Sequence, residues 1–153
     1  MPNGEKYDLV VIGFGKAGKT LAGKLASQNK RVALIEKDAR LYGGTCINVG
    51  CIPSKRLVME AGAAPQEPQE QPRFYEEAVR GKTELTRALR AANYDKLVKV
   101  GVEVIDGTAS FLDKNTIEVA TAGGGSRVLS AEKFVINTGS RPALPNIPGL
   151  EDN

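Results

Sequence analysis

Two apolar runs of strand length, residues 8–12 (Asp-Leu-Val-Val-Ile) and 31–35 (Arg-Val-Ala-Leu-Ile), bracket a stretch whose apolar positions recur at helical spacing. Ala17, Leu21 and Leu25 share one face of that predicted helix. From residue 74 to about residue 99 the period is again helical: Phe74, Ala78, Leu85, Leu89 and Ala92 lie near one face. Arg73, Arg80, Arg87, Arg90 and Lys96 fall largely elsewhere, as a solvated basic face. Residues 62–72 carry Pro65, Pro68 and Pro72 and almost no bulky apolar side chain, which predicts an exposed loop between two helices. Residues 115–121 and 126–130, separated by Gly123, Gly124 and Gly125, predict strands of a small antiparallel meander, and residues 133–136 a buried strand. The predicted class is α/β: a Rossmann-like parallel sheet with an antiparallel β-meander.

Composition supports one core. The chain has 153 residues, 41% hydrophobic and 25% charged, and a domain of this size buries roughly 70% of its extended-chain surface. A net charge of +3 and eight aromatic residues (four Tyr, four Phe) imply neither nucleic acid nor a membrane as partner. No apolar run approaches spanning length. The first eight residues lead straight into a strand without a secretory pattern, so a cytoplasmic location is expected.

The first strand runs into Gly13-Phe14-Gly15-Lys16-Ala17-Gly18, a G-x-G-x-x-G pattern in a strand-to-helix context. Gly13 allows a tight turn, Gly15 lets a pyrophosphate approach the backbone, and Gly18 allows close helix-to-strand packing. The second strand ends at Glu36, eighteen residues after Gly18, where a carboxylate suits the ribose hydroxyls of a dinucleotide. Residues 13–20 also satisfy G-x-x-x-x-G-K-[ST], with Lys19 and Thr20 in the phosphate- and magnesium-binding places. That hydrolase reading needs a later strand ending in an acid. The nearest, residues 102–106, carries a charge inside the run and leaves Glu36 unused. Lys19 reads more simply as a solvated residue of the helix's first turn.

The two cysteines, Cys46 and Cys51, lie five positions apart in residues 43–55, Gly-Gly-Thr-Cys-Ile-Asn-Val-Gly-Cys-Ile-Pro-Ser-Lys, which read as a helix start. On an ideal helix their Cα atoms would be about 8 to 9 Å apart, beyond the usual disulfide reach of about 4.4 to 6.8 Å. Closing a bridge would distort the turn, which Gly50 and Pro53 make easier. A strained, easily reduced bridge suits electron transfer. A structural bridge closing so small a loop would stabilise little, and zinc needs four ligands where two cysteines and no histidine are offered. Two inert thiols remain the other reading.

Residues 43–55 resemble the redox-disulfide motif of the class I pyridine nucleotide-disulfide oxidoreductases, the family of glutathione reductase, dihydrolipoyl dehydrogenase and mercuric reductase. The resemblance implies FAD and NAD(P)H as cofactors. It makes Cys46 the thiol that exchanges with substrate, Cys51 the one against the flavin, and Lys55 a neighbour of the flavin. Gly44 and Thr45, with Lys16, Ala17 and Lys37 beside the dinucleotide motif, join the implied cofactor site. Asn137-Thr138-Gly139-Ser140, followed by Arg141-Pro142, resembles the family's A-T-G-S motif, with Asn137 where alanine is common. Residues 106–109, with Thr108 and Ala109, resemble a turn that approaches the adenine. Lys55 and a helix amino terminus beside Cys46 would favour thiolate over thiol.

The implied segment is the N-terminal part of an FAD-binding domain. A second glycine motif, the strand that completes the flavin site, and the dimer domain with its histidine are missing from residues 1–153. A homodimer is implied for a complete protein. The piece alone is expected to bind FAD weakly and to turn over no substrate. Residues 12–22, Tyr42 and residues 136–139 most resemble bacterial reactive-chlorine-resistance flavoproteins that reduce copper(II). A small-molecule disulfide or a metal ion is the implied substrate, with dihydrolipoyl dehydrogenase and mercuric reductase as close relatives and a non-catalytic flavin-binding module as the alternative from another class.

Overall fold

The computed structural model describes residues 4–140 and 143–150. Arg141 and Pro142 lie outside the described residues, as do Met1, Pro2 and Asn3. The order is β1 (Glu5–Ile12), α1 (Lys16–Ala26), β2 (Val32–Glu36), a short 3-10 turn (Ala39–Leu41), α2 (Thr45–Asn48), α3 (Cys51–Ala61), α4 (Gln71–Lys99), β3 (Glu103–Asp113), β4 (Thr116–Thr121) and β5 (Ser126–Ile136). It is an α/β domain on a mixed five-stranded sheet.

β1 lies between β2 and β5, parallel to both, and β3 runs parallel to β2 on its far side. β4 pairs antiparallel with β3 and with β5, so the pairings close into a ring. The two long strands make this possible by changing partners along their length. β3 pairs with β2 through Asp106 and with β4 from Gly107 onward. A Cβ on Gly107 would lie 2.5 Å from Ala120 O, so only glycine lets the strand leave one neighbour for the other there. Residues 106–109, expected to form a turn, are therefore internal to a strand. The meander strand expected at 126–130 and the strand expected at 133–136 are likewise one continuous strand.

Strand alternation divides the core in two. Val10, Ala33, Ile35, Ile105, Ile117, Val119 and Leu129 fill the ring's interior. Leu9, Val11, Val32 and Leu34 point the other way, against Ala22 and Ala26 of α1 and Leu97 of α4. Full burial of each valine, leucine or isoleucine among them contributes about 1.5 to 3 kcal/mol. The lower rim is closed by charge: Arg127 donates to Glu5 and to Glu103, each at 2.7 Å, and Tyr7 Oη donates to Glu103 at 2.5 Å.

Three burial expectations are corrected. The face of α1 against the sheet is Gly18, Ala22 and Ala26, while Leu21 is 40% exposed. Small residues win because the helix approaches closely: a Cβ on Gly18 would be 2.7 Å from Val11 Cγ1. α4 begins at Gln71, with Pro72 in its first turn, where its missing amide costs nothing. Its buried residues are Ala78, Thr86 and Leu97, while Ala92 is exposed, because only its ends and one narrow stripe meet the rest of the domain. At the end of β5, Phe134 and Val135 are half-buried, each against a different half of the core, and Ile136 is 69% exposed, so the strand expected to be buried is only partly covered. No helix among the described residues is long and apolar enough to cross a membrane.

Candidate cofactor and redox site

Strand register brings three of the sequence motifs to one edge. Ile12 lies opposite Ile35 of β2 and Ile136 of β5, so Gly13, Glu36 and Asn137 leave neighbouring strands side by side. Parallel α/β sheets bind ligands in such a crevice at the carboxyl ends of their strands. The edge is tied together by main-chain bonds, Gly13 N donating to Ile35 O at 2.7 Å and Asn137 N to Ile12 O at 2.8 Å.

The glycines are required by close approach. Gly13 adopts φ +101°, and a Cβ there would lie 2.4 Å from Asn137 O. A Cβ on Gly15 or Gly18 would come within 2.7 and 2.6 Å of Asn137 Nδ2, which itself donates to Gly13 O at 3.2 Å. Asn137 thus fixes the loop with its side chain at the place where alanine is common in the motif it resembles. Gly15 caps α1 without a side-chain hydrogen bond, and no acidic residue lies in its first turn. An uncapped helix start of this kind suits a phosphate.

Glu36 is buried, and its carboxylate accepts from Phe14 N at 2.9 Å and from Asp38 N at 3.2 Å. A carboxylate offers about four lone-pair sites, so hydroxyl donors can still be accommodated. Lys37 beyond it is exposed. Phe14 is also buried, its ring centroid 4.8 Å from Tyr42, which stacks on Tyr94 of α4 at 5.2 Å. Burial, followed by the hydrogen bond that Tyr42 Oη donates to Asp106 at 2.5 Å, raises the tyrosine's pKa, so it stays a neutral donor. The motifs gave no signal for this aromatic stack, because it joins residues 14, 42 and 94 through the fold.

The redox segment lies on the glycine loop backbone to backbone. Gly44, at φ +72°, would carry a Cβ 2.7 Å from Gly15 Cα. A continuous helix through both cysteines is absent: α2 ends at Asn48, Val49 and Gly50 break the chain, and Cys51 opens α3. Amides of Val49 and Gly50 both donate to Thr45 O, at 2.9 and 2.8 Å. Asn48 Nδ2 pins the break to Tyr42 O and Gly44 O, while its Oδ1 is buried without a partner among the described residues. The spacing of an ideal helix therefore does not apply to the pair. Cys46 and Cys51 are free thiols on either side of the break, Cys46 half-buried in α2 and Cys51 exposed at the start of α3.

The acidity of Cys46 departs from expectation. Its hydrogen bond with Cys51, then burial, then the charge on Cys51 raise its pKa above the ordinary thiol value. A four-residue α2 supplies little helix dipole. Lys16 and Lys19 act on Cys46 in the opposite direction, and Lys55, one turn beyond Cys51, is exposed. Lys19, expected to be solvated, is half-buried and donates to Asn93 Oδ1 of α4.

Of the remaining predicted residues, Thr138, Gly139 and Ser140 follow Asn137 and are exposed. A Cβ on Gly139, at φ +73°, would be 3.8 Å from Thr45 Oγ1, so this segment borders the redox helix. Thr108 and Ala109 lie on β3 opposite Ala120 and Val119, beyond the Glu36–Asp106 pair.

A family model described as pyridine nucleotide-disulphide oxidoreductase matches residues 7–153. The chain belongs to this family. Among curated relatives it is 43% identical over 146 residues to the "Probable pyridine nucleotide-disulfide oxidoreductase RclA" of Escherichia coli K12, covering 95% of this chain and 31% of the relative. It is 36% identical over 157 residues to a mercuric reductase of Streptomyces lividans, covering 95% of this chain and 32% of that protein. Among solved structures, the Cu(II) complex of the HOCl-induced flavoprotein disulfide reductase RclA from Escherichia coli superposes with a TM-score of 0.83 at 42% identity, over 96% of this chain and 32% of that one. The chain therefore spans about a third of these pyridine nucleotide-disulphide oxidoreductases. The hydrolase-like reading of residues 13–20 also lacks its geometry: Lys19 is turned to Asn93, and Thr20 Oγ1 donates to Lys16 O at 2.8 Å.

Proposed function

We propose that this chain is the N-terminal segment of the FAD-binding domain of a nicotinamide-dependent flavoprotein reductase, and that Cys46 and Cys51 are its redox-active pair. The observation that carries the reading is the placement of two free thiols, on either side of a helix break, in a segment packed directly on a glycine loop of dinucleotide-binding type. Gly13, Gly15, Lys16, Ala17 and Gly18 would hold the pyrophosphate and Glu36 the adenosine ribose. Lys37, Gly44, Thr45, Lys55, Thr108, Ala109, Thr138, Gly139 and Ser140 would complete the contacts. FAD, when bound, supplies the hydride-to-electron-pair conversion between NAD(P)H and the cysteine bridge.

The residues' own chemistry is thiol–disulfide exchange. One thiolate attacks the acceptor disulfide and expels one thiol; the second then attacks the mixed disulfide, closing the Cys46–Cys51 bridge and releasing the second. With a metal ion the dithiol gives up two electrons and two protons to form the same bridge, reducing two copper(II) ions to copper(I). Copper(II) is the favoured acceptor because the 42% identical reductase RclA forms a Cu(II) complex. Mercury(II), as for the mercuric reductases among the relatives, is the second reading. A homodimeric, cytoplasmic whole protein accompanies either.

Equilibrium dialysis against FAD tests the cofactor half. Glu36→Gln keeps an acceptor for Phe14 N but removes the charge, and is expected to weaken FAD binding by about 1.5 to 3 kcal/mol. Unchanged retention would remove Glu36 from the site.

A further inference from the structure

Asn48 ends α2, two residues after Cys46 and three before Cys51. Its Nδ2 donates to Tyr42 O at 3.0 Å and to Gly44 O at 2.9 Å, so the last residue of the short helix is tied back across its first turn to the segment that enters it. Its Oδ1 is buried and has no partner among the described residues, so the amide nitrogen carries both of these connections. The two acceptors are themselves well anchored. The Tyr42 ring lies between Phe14 and Tyr94, and Gly44 rests on the backbone of Gly15.

A four-residue helix needs such an anchor, because a single turn fixes several dihedrals for each hydrogen bond it gains. Gly44 O accepts from Ile47 N and Asn48 N only at 3.2 Å each, and the Asn48 side chain is its shortest donor. Past Asn48 the chain leaves the helix: Val49 N and Gly50 N both donate to Thr45 O, and Gly50 sits at φ −110°, ψ −100°, away from the helical region. α3 is held separately, by its buried Pro53 and by packing on α4. The two cysteines thus ride on two independently anchored helices. If α2 lost its anchor it could fray or realign with α3 as one helix, whose spacing would put the two Cα atoms about 8 to 9 Å apart, beyond the usual disulfide reach of about 4.4 to 6.8 Å.

We propose that Asn48 is a positioning residue for the Cys46–Cys51 couple: by tying α2 to Tyr42 and Gly44 it holds the break between the cysteines and so favours closure of the bridge. It acts through the backbone that carries the thiols. The proposal rests on the dithiol reading and deepens it, because it names what sets the poise of the pair. The two can fail separately. A wild-type chain that forms no bridge contradicts the dithiol reading and this proposal with it, whereas a bridge indifferent to Asn48 contradicts this proposal alone.

The test is the equilibrium between residues 1–153 and dithiothreitol, in which the two thiols give two electrons and two protons to oxidised dithiothreitol, whose S–S bond opens as the Cys46–Cys51 bond forms. Asn48→Leu keeps the shape of the side chain and removes the donor. It is expected to lower the equilibrium constant for bridge formation about fivefold or more, the order of the conformational entropy of one released backbone residue. Fivefold corresponds to about 20 mV for a two-electron couple. Asn48→Ala is expected to do the same and serves if Asn48→Leu does not fold. Gly101→Ala, at φ +89° between α4 and β3 and away from the redox segment, strains the fold and is expected to leave the constant unchanged. An unchanged or raised constant in the Asn48 variants would overturn the proposal. So would an equal fall in Gly101→Ala, which would trace the effect to general loss of stability, and so would a failure of both Asn48 variants to fold, which would make the residue a requirement of the fold.

Discussion

Reduced residues 1–153 are expected to release two equivalents of thionitrobenzoate from Ellman's reagent while retaining none, because the second thiol displaces the label left on the first. Cys46→Ser and Cys51→Ser are each expected to abolish this, giving one equivalent and a stable mixed disulfide on the remaining cysteine. The distinction follows from the break at Val49–Gly50, which puts the two thiols on separate helices and frees them from the spacing of one continuous helix. Two independent thiols would each keep a label. Mass spectrometry of the labelled chains reads the difference directly, and a doubly labelled wild-type chain would contradict the arrangement.

Gly13→Val is expected to be the most destabilising single change at the site. The residue must adopt φ +101° and its Cβ would lie 2.4 Å from the Asn137 carbonyl. A β-branched side chain is a genuine outlier at such a φ, and backbone strain of this kind costs about 1 to 3 kcal/mol before any clash. The clash is with backbone on the β1–β5 junction, which cannot rotate away. We expect a loss of about 3 kcal/mol or more, against a typical domain stability of about 5 to 15 kcal/mol. Gly101→Ala is the control: φ is +89° but nothing lies within 4 Å of a Cβ there. Its cost should be confined to conformational strain, near 1 kcal/mol. Urea unfolding of the two variants separates the terms, and equal midpoints would show that the Asn137 contact carries no weight.

The parallel strands, the glycine loop and Glu36 were legible because each depends on local pattern: apolar runs, glycine spacing and a terminal acid. The redox segment was legible from its thirteen residues, but its helix break was not. That break depends on Asn48 reaching back to Tyr42 O and Gly44 O, a contact no periodicity encodes. The face of α1 was misassigned because size outranked hydrophobicity; Gly18 and Ala22 permit an approach that Leu21 would block. β3 and β5 were divided in the sequence reading because Asp106-Gly107 and Glu132-Lys133 interrupt the apolar pattern. Along β3 the inward positions keep one alternation, Ile105, Gly107 and Ala109, but the outer face passes from half-buried Val104 to exposed Asp106 and Thr108, so the apolar signal fades while the strand continues. The sequence departs from the family's A-T-G-S pattern at Asn137, and the fold shows what the departure does: it locks Gly13, Gly15 and Gly18 from above.

The central claim is that Cys46 and Cys51 form a reversible redox couple. Equilibration of residues 1–153 in graded dithiothreitol redox buffers, followed by acid quench, alkylation and peptide mapping, measures it. The expected result is that both cysteines lose alkylation together in a single two-electron transition, with the oxidised form linking Cys46 to Cys51 within one chain. Thiols that remain fully alkylated in the most oxidising buffer, or that link only between chains, would contradict it.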